Sequence, residues 1–164
     1  MKRAVFLDRD GVINRERGEH TWRLDHFEIL PGVPQALKEL KQAGWMTVVI
    51  TNQSGIGLGL YDHADVAKVH HHLVIELGRA GAQLDAILYC PHHPAEGKCL
   101  CRKPSPLLFE KAIARWRIDP ASSLMIGDRQ RDMDASRAAD VRGILVGSNS
   151  ELLPLVRKEI LKNE

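Results

Sequence analysis

The sequence predicts an α/β fold, a single doubly wound and mostly parallel sheet of five strands with helices on both faces. Five short, apolar, β-prone runs alternate along the chain with longer helical patterns, in the order β-α-β-α-β-α-β-α-β-α. Each run is apolar almost throughout, as in parallel strands that are covered on both faces. Neither an internal repeat nor a linker interrupts the pattern, so we predict one domain over residues 1–164.

The individual elements follow from these patterns in chain order. The apolar runs AVFL, MTVVI, AILY, SLMI and GILV place strands at residues 4–7, 46–50, 86–89, 123–126 and 143–146. The helical patterns between and after them place helices at residues 33–43, 62–80, 106–117, 131–139 and 151–162. The second helix has the clearest ends, because Asp62 and Asp65 supply a capped start and Gly81 supplies a stop. The last helix is expected to lie on the surface.

The composition argues against several classes of function. The formal net charge is only +2, and only 5% of the residues are aromatic, so the chain lacks the basic and stacking surfaces that bind nucleic acids. The four apolar residues that follow Met1-Lys2-Arg3 are too few for a signal-peptide core. No stretch approaches the ~20 apolar residues of a membrane span. We therefore expect a cytoplasmic monomer that binds a small molecule and neither nucleic acid nor a membrane.

Polar segments follow four of the predicted strands. They are Asp8-Arg9-Asp10-Gly11, Thr51-Asn52-Gln53, the loop that begins at Cys90, and Gly127-Asp128. Ligands of doubly wound sheets bind outside the carboxyl ends of the strands. The sequence therefore predicts that carboxylates, a hydroxyl group and amides meet at one edge of the sheet.

The carboxylates in these segments favour a magnesium site. Asp8 and Asp10 lie on the same side of a strand end, where two like charges repel unless a cation lies between them. Asp128 ends another strand, and carboxylate oxygens are ligands that Mg²⁺ prefers. Taken singly, each aspartate is more readily explained as a cap of a loop or helix. Together with Thr51 and Lys103 they favour a reactive site, because complementary groups then come from four segments.

These motifs resemble those of the haloacid dehalogenase superfamily of phosphatases. Residues 6–14, FLDRDGVIN, are similar to its signature, and TNQSG at 51–55, RKP at 102–104 and Gly127-Asp128 with Asp132 match its other motifs in order. The match runs from about residue 4 to residue 146. More narrowly, the chain resembles the D-glycero-D-manno-heptose 1,7-bisphosphate phosphatases, which have the histidinol phosphatases as near relatives.

The resemblance implies a reaction and a role for each catalytic residue. Asp8 would be the nucleophile that forms an aspartyl-phosphate, and Asp10 would protonate the alkoxide leaving group and then activate water. Thr51 would donate a hydrogen bond to the phosphoryl group, and Lys103 would balance its charge. The Asp8 carboxylate, the Asp10 main-chain carbonyl and Asp128 would hold Mg²⁺, which reduces repulsion between the nucleophile and the phosphate.

The resemblance also implies a set of substrate-binding residues. They are Glu16, Arg17, Gly18, Glu19, Asn52, Gln53, Ser54, Arg102 and Arg129. The intervals between the motifs leave no room for a cap domain, so we expect residues 16–19 and the cysteine-containing loop to form the rim. Arg102 would recognise a second phosphate or the sugar. Relatives often carry lysine at the position of Arg129, a departure that leaves the reaction type intact but bears on the substrate.

All three cysteines lie within residues 90–101, which predicts a zinc site. An odd number in one loop argues against a secreted disulfide framework and for a metal site in a reducing compartment. Three thiolates and one imidazole form a closed, structural zinc site. On spacing alone His92 and His93 are rivals, and a disulfide or unligated thiols are alternatives. By the resemblance the ligands are Cys90, His92, Cys99 and Cys101. Because Arg102 and Lys103 follow directly, the metal would fix the backbone that aims them.

The leading prediction is an enzyme that removes the C7 phosphate of D-glycero-D-manno-heptose 1,7-bisphosphate, in nucleotide-heptose biosynthesis for lipopolysaccharide. A histidinol-phosphate phosphatase is the alternative enzyme. A catalytically inactive, zinc-stabilised binding module is an alternative from another class. The complete set of reactive groups, with both Asp8 and Asp10 present, argues against the inactive module.

Overall fold

The computed structural model describes residues 1–163 and contains a five-stranded parallel sheet. The strands are β1 (Ala4–Leu7), β2 (Met46–Asn52), β3 (Ala86–Cys90), β4 (Leu124–Gly127) and β5 (Arg142–Leu145). Their order in the sheet is β3-β2-β1-β4-β5, and each neighbouring pair is parallel. The predicted fold class is confirmed. The predicted domain extends to Glu164, which lies outside the described residues.

Helices cover both faces of this sheet. They are α1 (Val33–Gln42), α2 (His63–Arg79), α3 (Leu107–Trp116), α4 (Gln130–Ala138) and α5 (Leu152–Glu159). Apolar side chains of α1, α2 and α5 form one core cluster with the sheet, and those of α3 and α4 form a second cluster on the opposite face. Short 3₁₀ turns lie at Leu24–His26, Pro94–Glu96 and Leu161–Asn163.

The central strand β1 joins the two clusters. Val5 and Leu7 face α1, α2 and α5, whereas Ala4 and Phe6 face α3 and α4, and none of the four is exposed to solvent. The Phe6 ring lies 5.0 Å from that of Phe109. Each large apolar side chain buried in this way contributes roughly 1.5–3 kcal/mol. The residue that follows β1 therefore leaves the sheet from its most firmly packed part.

The predicted boundaries agree with the structure to within about three residues. The prediction ended β2 at residue 50, but Thr51 and Asn52 continue the strand because they pair with Tyr89 and Cys90 of β3. The last helix, predicted to run to residue 162, ends at Glu159 and is followed by a 3₁₀ turn. Extension of β2 has a functional consequence, because it places Thr51 on the sheet itself.

The predicted ends of α2 are confirmed. The Asp62 side chain accepts a hydrogen bond from the Asp65 backbone N–H at 2.9 Å, and the Asp65 side chain accepts one from the Asp62 N–H at 3.1 Å. This reciprocal pair satisfies two donors that a helix start leaves free. Gly81 follows the helix with φ +74°, a conformation that glycine adopts without strain.

The two edge strands are less buried than the sequence predicted. Residues of β3 are mostly half-buried, and three of the four residues of β5 are exposed. An apolar run cannot reveal that its strand lies at the edge of a sheet, because its burial depends on the strand order. Within residues 1–163, no helix is both long and apolar enough to cross a membrane.

Candidate active site

A polar cleft of about 350 Å³ opens at the carboxyl ends of β1, β2 and β4, which are adjacent in the sheet. The predicted catalytic, substrate-binding and magnesium-binding residues line it, with two exceptions. Lys103 lies buried beneath the cleft, with 1% of its surface exposed. Arg17 is exposed, and its guanidinium pairs with Glu19 at 3.1 Å. The structure therefore brings together residues from four separate segments of the chain.

Lys103 is the centre of a buried group of charges. Its Nζ lies 2.9 Å from Asp8 Oδ1 and 2.7 Å from Asp132 Oδ1, and it donates a hydrogen bond to the Ile50 carbonyl at 2.6 Å. Burial works against the charge of Lys103, but Asp8 and Asp132 raise its pKa above the ordinary value. The sequence motif included Asp132 without giving it a contact, and the structure makes it the second anion on the buried lysine.

Without a bound cation, the protein destabilises the ionised form of Asp8. Burial raises its pKa to about 7, and repulsion from Asp132 and Asp10 adds to this effect, whereas Lys103 opposes it. A cation beside Asp8 would favour the ionised form.

The residues around Asp8 fit such a cation. Carboxylate oxygens of Asp8, Asp128 and Asp132 lie within 4.8 Å of one another, and Asp128 Oδ1 is buried without a hydrogen-bond partner. A set of oxygen ligands suits Mg²⁺. Gly11 permits this arrangement, because it has φ +86° and a β-carbon there would overlap the Asp128 carboxylate.

Both carboxylate oxygens of Asp10 are held. Oδ1 accepts hydrogen bonds from Arg9 at 3.0 Å and from Asn14 at 2.9 Å, and Oδ2 accepts one from Gln53 at 3.2 Å. Burial opposes ionisation, but Arg9 and these hydrogen bonds hold the pKa of Asp10 below its usual value. The Arg9 side chain is buried, and its guanidinium forms an ion pair with Asp10 at 3.0 Å.

The residues at the end of β2 form hydrogen bonds with one another and with the backbone of Lys103. The Thr51 hydroxyl accepts a hydrogen bond from Gln53 at 3.0 Å. The Asn52 side chain accepts a hydrogen bond from the Lys103 N–H at 3.0 Å and donates one to the Lys103 carbonyl at 3.3 Å. Asn52, predicted to bind substrate, therefore also fixes the backbone of Lys103. Ser54 lies at the wall of the cleft and is almost fully buried.

The side chains of Cys90, His92, Cys99 and Cys101 converge in the loop after β3. Their ligand atoms all lie within 4.8 Å of one another, and the three cysteines are free. His93 instead accepts a hydrogen bond from the Ala95 N–H at 3.1 Å and caps the Pro94–Glu96 turn. Burial and the neighbouring Cys101 raise the pKa of the Cys90 thiol, so thiolates would need a cation among them. The residues fit a structural zinc site.

Three arginines give one wall of the cleft a positive charge. Arg102, Arg129 and Arg131 line it, and Arg129 and Arg131 lie at the start of α4. Arg129 also lies 3.8 Å from the Asp128 carboxylate and 3.9 Å from that of Glu16. The helix dipole disfavours cations there and favours anions. Burial and the nearby Arg131 also lower the pKa of Arg102. The sequence did not single out Arg131, but its place at the start of the helix behind Asp128 could have identified it.

The rim segment is fixed by a residue that the sequence did not single out. Asn149, in the loop after β5, accepts a hydrogen bond from the Glu16 N–H at 2.7 Å and donates one to the Glu16 carbonyl at 3.1 Å. In the same loop, Ser148 donates a hydrogen bond to Asp128. Glu16 therefore has a fixed backbone, whereas Gly18 and Glu19 farther along the rim are exposed.

Comparison with known proteins defines the class. A family model described as haloacid dehalogenase-like hydrolase matches residues 2–140, and the chain belongs to this family. The relatives of this chain are named as phosphatases, and the chain is a phosphoric monoester hydrolase.

Particular relatives are similar over nearly the whole chain. The D-glycero-β-D-manno-heptose-1,7-bisphosphate 7-phosphatase of Pasteurella multocida is 39% identical over 152 residues, which cover 89% of this chain and 82% of that protein. The enzyme of the same name from Escherichia coli K12 is 40% identical over 158 residues, covering 92% and 82%. The crystal structure of D,D-heptose 1,7-bisphosphate phosphatase from B. bronchiseptica, complexed with magnesium and phosphate, is 36% identical with a TM-score of 0.85, and covers 97% of this chain and 88% of that one.

The buried charges predict a large effect of removing Lys103. Lys103→Met should lower the free energy of unfolding by about 3–5 kcal/mol, because Asp8 and Asp132 then face each other without a cation. Urea unfolding at pH 8 with a chelator present measures this change. Lys111→Met, at an exposed lysine of α3, is the control and should change it by less than about 0.5 kcal/mol. Equal effects of the two substitutions would contradict the prediction.

Proposed function

We propose that the protein removes the C7 phosphate of D-glycero-β-D-manno-heptose 1,7-bisphosphate, with Mg²⁺ in the cleft and Zn²⁺ in the loop at residues 90–101. The reaction would supply heptose 1-phosphate for nucleotide-heptose biosynthesis. The observation that carries the substrate proposal is the arginine wall beside Asp8. The relatives described above, which have this activity in their names, support it.

We place Mg²⁺ at the Asp8 carboxylate, the Asp10 main-chain carbonyl and Asp128. The free, buried Oδ1 of Asp128 supports this placement. When bound, the ion supplies the positive charge that keeps Asp8 ionised and reduces its repulsion from a phosphate dianion.

The reaction proceeds in two steps on Asp8. An Asp8 oxygen attacks phosphorus, the bond between phosphorus and the C7 oxygen breaks, and Asp10 gives its proton to the departing alkoxide. Asp10 then takes a proton from water, whose oxygen attacks the aspartyl-phosphate and releases inorganic phosphate. Lys103 and Thr51 stabilise the charge that develops on the phosphoryl oxygens.

The protonation states that Asp8 and Asp10 need for these steps depend on the bound metal ion and the substrate phosphate. In the protein alone the pKa of Asp8 is raised and that of Asp10 is lowered, the reverse of what a nucleophile and an acid require. A cation next to Asp8 lowers its pKa, and a phosphate dianion next to Asp10 raises its pKa. The acid and the nucleophile are therefore set up by binding of the metal and the substrate together.

The arginine wall accounts for a second phosphate. Lys103 and a bound magnesium ion would balance the charge of the phosphate that is cleaved, and Thr51 would donate a hydrogen bond to it. Arg129 already lies 3.8 Å from Asp128 and 3.9 Å from Glu16, but Arg102 and Arg131 remain, and a phosphate on C1 would relieve the repulsion between them. Charge-assisted hydrogen bonds of this kind are worth roughly 1.5–3 kcal/mol each. A substrate with two phosphates therefore gains binding energy that a monophosphate cannot.

Zinc in the loop at residues 90–101 would fix the positions of Arg102 and Lys103 through the backbone. Arg102 and Lys103 follow the ligand Cys101 directly, so a metal that fixes the loop also fixes the position of both cations. Structural zinc contributes roughly 10–16 kcal/mol of binding energy in small peptides, enough to order a loop of this length. Free thiols that converge as metal ligands suit a reducing compartment, which supports a cytoplasmic location.

The nucleophile is tested by Asp8→Asn. Phosphate release should fall by at least about 10⁴-fold, because an amide cannot form the acyl phosphate. Activity should likewise disappear when Mg²⁺ is removed by dialysis and return when Mg²⁺ is added back. Asp134→Asn, at an exposed position of α4, is the matched control and should remain active. Near-normal phosphate release by Asp8→Asn would show that another group is the nucleophile.

The zinc site is tested by elemental analysis of two histidine variants. The purified protein should contain one zinc per chain, and His92→Ala should lose it, because the imidazole converges on the thiols. His93→Ala should keep it, since that side chain only caps a turn. Cys99→Ser should lower both the melting temperature and the activity. A zinc-free, fully active protein with a disulfide in this loop would contradict the proposal.

The substrate is tested by comparing kcat/KM for heptose 1,7-bisphosphate, heptose 7-phosphate and histidinol phosphate. The bisphosphate should be preferred, and Arg102→Ala should reduce that preference by about ten- to a hundredfold while sparing the monophosphates. Arg137→Ala, in the last turn of α4, is the control and should not change it. If histidinol phosphate is the best substrate, the alternative enzyme is correct and the mechanism on Asp8 still stands.

A further inference from the structure

Tyr61 lies in none of the predicted motifs, yet it connects to the proposed acid through hydrogen bonds. It is located between β2 and α2 and is 6% exposed. Its hydroxyl group donates a hydrogen bond to Gln53 Oε1 at 2.9 Å. The other end of the same amide, Nε2, donates to Asp10 Oδ2 at 3.2 Å and to the Thr51 hydroxyl at 3.0 Å.

The Tyr61 hydroxyl and the Asp10 carboxylate together fix which way the Gln53 amide points. The two ends of an amide have nearly the same shape, but one accepts and the other donates hydrogen bonds. A reversed Gln53 would place its oxygen against the Asp10 carboxylate, and both groups would then be acceptors. Burial raises the pKa of Tyr61 to about 12, so its hydroxyl remains a neutral donor. Because the carboxylate can only accept, it requires the amide nitrogen on its own side, and the Tyr61 O–H holds the amide oxygen on the other.

The ring of Tyr61 is held in place on two sides. Trp22 stacks on it with ring centroids 5.8 Å apart and an interplanar angle of 16°, and His20 contacts it edge-on at 5.9 Å. A β-carbon on Gly55 would overlap the ring, so the close approach requires glycine there. The hydroxyl group therefore has a fixed position from which to hold Gln53.

The same segment also reaches the other oxygen of Asp10. The Thr21 carbonyl accepts a hydrogen bond from Arg9 at 2.6 Å, and Arg9 donates to Asp10 Oδ1 at 3.0 Å. Residues 20–22 are thus linked to Oδ1 through Arg9 and to Oδ2 through Tyr61 and Gln53. The two links hold the plane of the carboxyl group from both sides.

We propose that Tyr61 is a positioning residue for Asp10, which it aims at the oxygen of the leaving group by fixing the Gln53 amide. The inference rests on the proposed role of Asp10 as the general acid. Tyr61 does not line the cleft and need not touch the substrate. Its loss should impair proton donation more than phosphoryl binding. That difference separates positioning from a general structural role.

Leaving groups of different basicity reveal this difference. An alkoxide needs a proton from Asp10 as it departs, whereas p-nitrophenolate is a weak base that departs without one. We compare kcat/KM, which includes only the steps up to departure of the leaving group. The two substrates are p-nitrophenyl phosphate and whichever alkyl phosphate is cleaved best in the substrate comparison. The measured quantity is kcat/KM for the alkyl phosphate divided by kcat/KM for p-nitrophenyl phosphate, and each variant is compared with the wild-type protein.

Asp10→Asn calibrates the ratio, because it removes the acid itself. It should lower kcat/KM for the alkyl phosphate by about 10²–10⁴-fold more than that for p-nitrophenyl phosphate. Tyr61→Phe should shift the ratio in the same direction by about ten- to a hundredfold. Tyr89→Phe is the matched control, since it removes the chain's other phenol hydroxyl, which contacts His63 outside this network. It should leave the ratio unchanged.

A second variant makes the test independent of how well Tyr61→Phe folds. Trp22→Ala keeps the Tyr61 hydroxyl but removes the ring that stacks on it, and it should shift the ratio in the same direction. Equal losses on both substrates in the Tyr61 and Trp22 variants would overturn the inference and leave the role of Asp10 intact. If Asp10→Asn itself fails to separate the substrates, the proposed acid is wrong and the inference falls with it.

Discussion

Lys103 carries a positive charge into the protein interior at the point where three strands end, and the remaining site is arranged around it. It contacts Asp8 after β1, the Ile50 carbonyl in β2 and Asp132 in α4. A buried charge is costly unless it is fully compensated, so these segments must meet in one geometry. The Asn52 amide holds the backbone of Lys103 from the side of β2. The buried lysine thereby links the packing of the sheet to the position of Asp8.

This centre nevertheless has more carboxylates than cations. Asp8, Asp128 and Asp132 lie together with only Lys103 and the more distant Arg129 beside them, and elsewhere in the cleft Arg102 and Arg131 repel each other. Such groups lower the stability of the free protein, and they remain because their ligands carry the opposite charges. The carboxylates call for a divalent cation and the arginines for phosphate. An excess of negative charge at the carboxylates and of positive charge at the arginines suits a phosphorylated substrate that binds together with a metal ion.

Much of the fold could be predicted from the sequence, because strand and helix periods are local properties. The site was predictable wherever a residue directly follows a strand, as Asp8 does. Spacing could not choose between His92 and His93, because the choice depends on the turn that His93 caps. Asn149 and Tyr61 could not be predicted either. Each acts through a partner that is distant in the sequence or lies beyond an intervening loop, and only the folded chain brings them together.

A phosphatase without a cap domain cannot rely on domain closure to complete its site, so its loops must hold the reactive groups in place beforehand. Each loop here is fixed by its own contact. Asn149 fixes Glu16 on the rim, Asn52 holds the backbone of Lys103, and Tyr61 fixes the amide that faces Asp10. Asn149 and Tyr61 lie in different loops, so a substitution at Glu16 can change the rim without disturbing the amide that faces Asp10. Arg102 is different, because it directly precedes Lys103 and a substitution there acts next to the buried lysine.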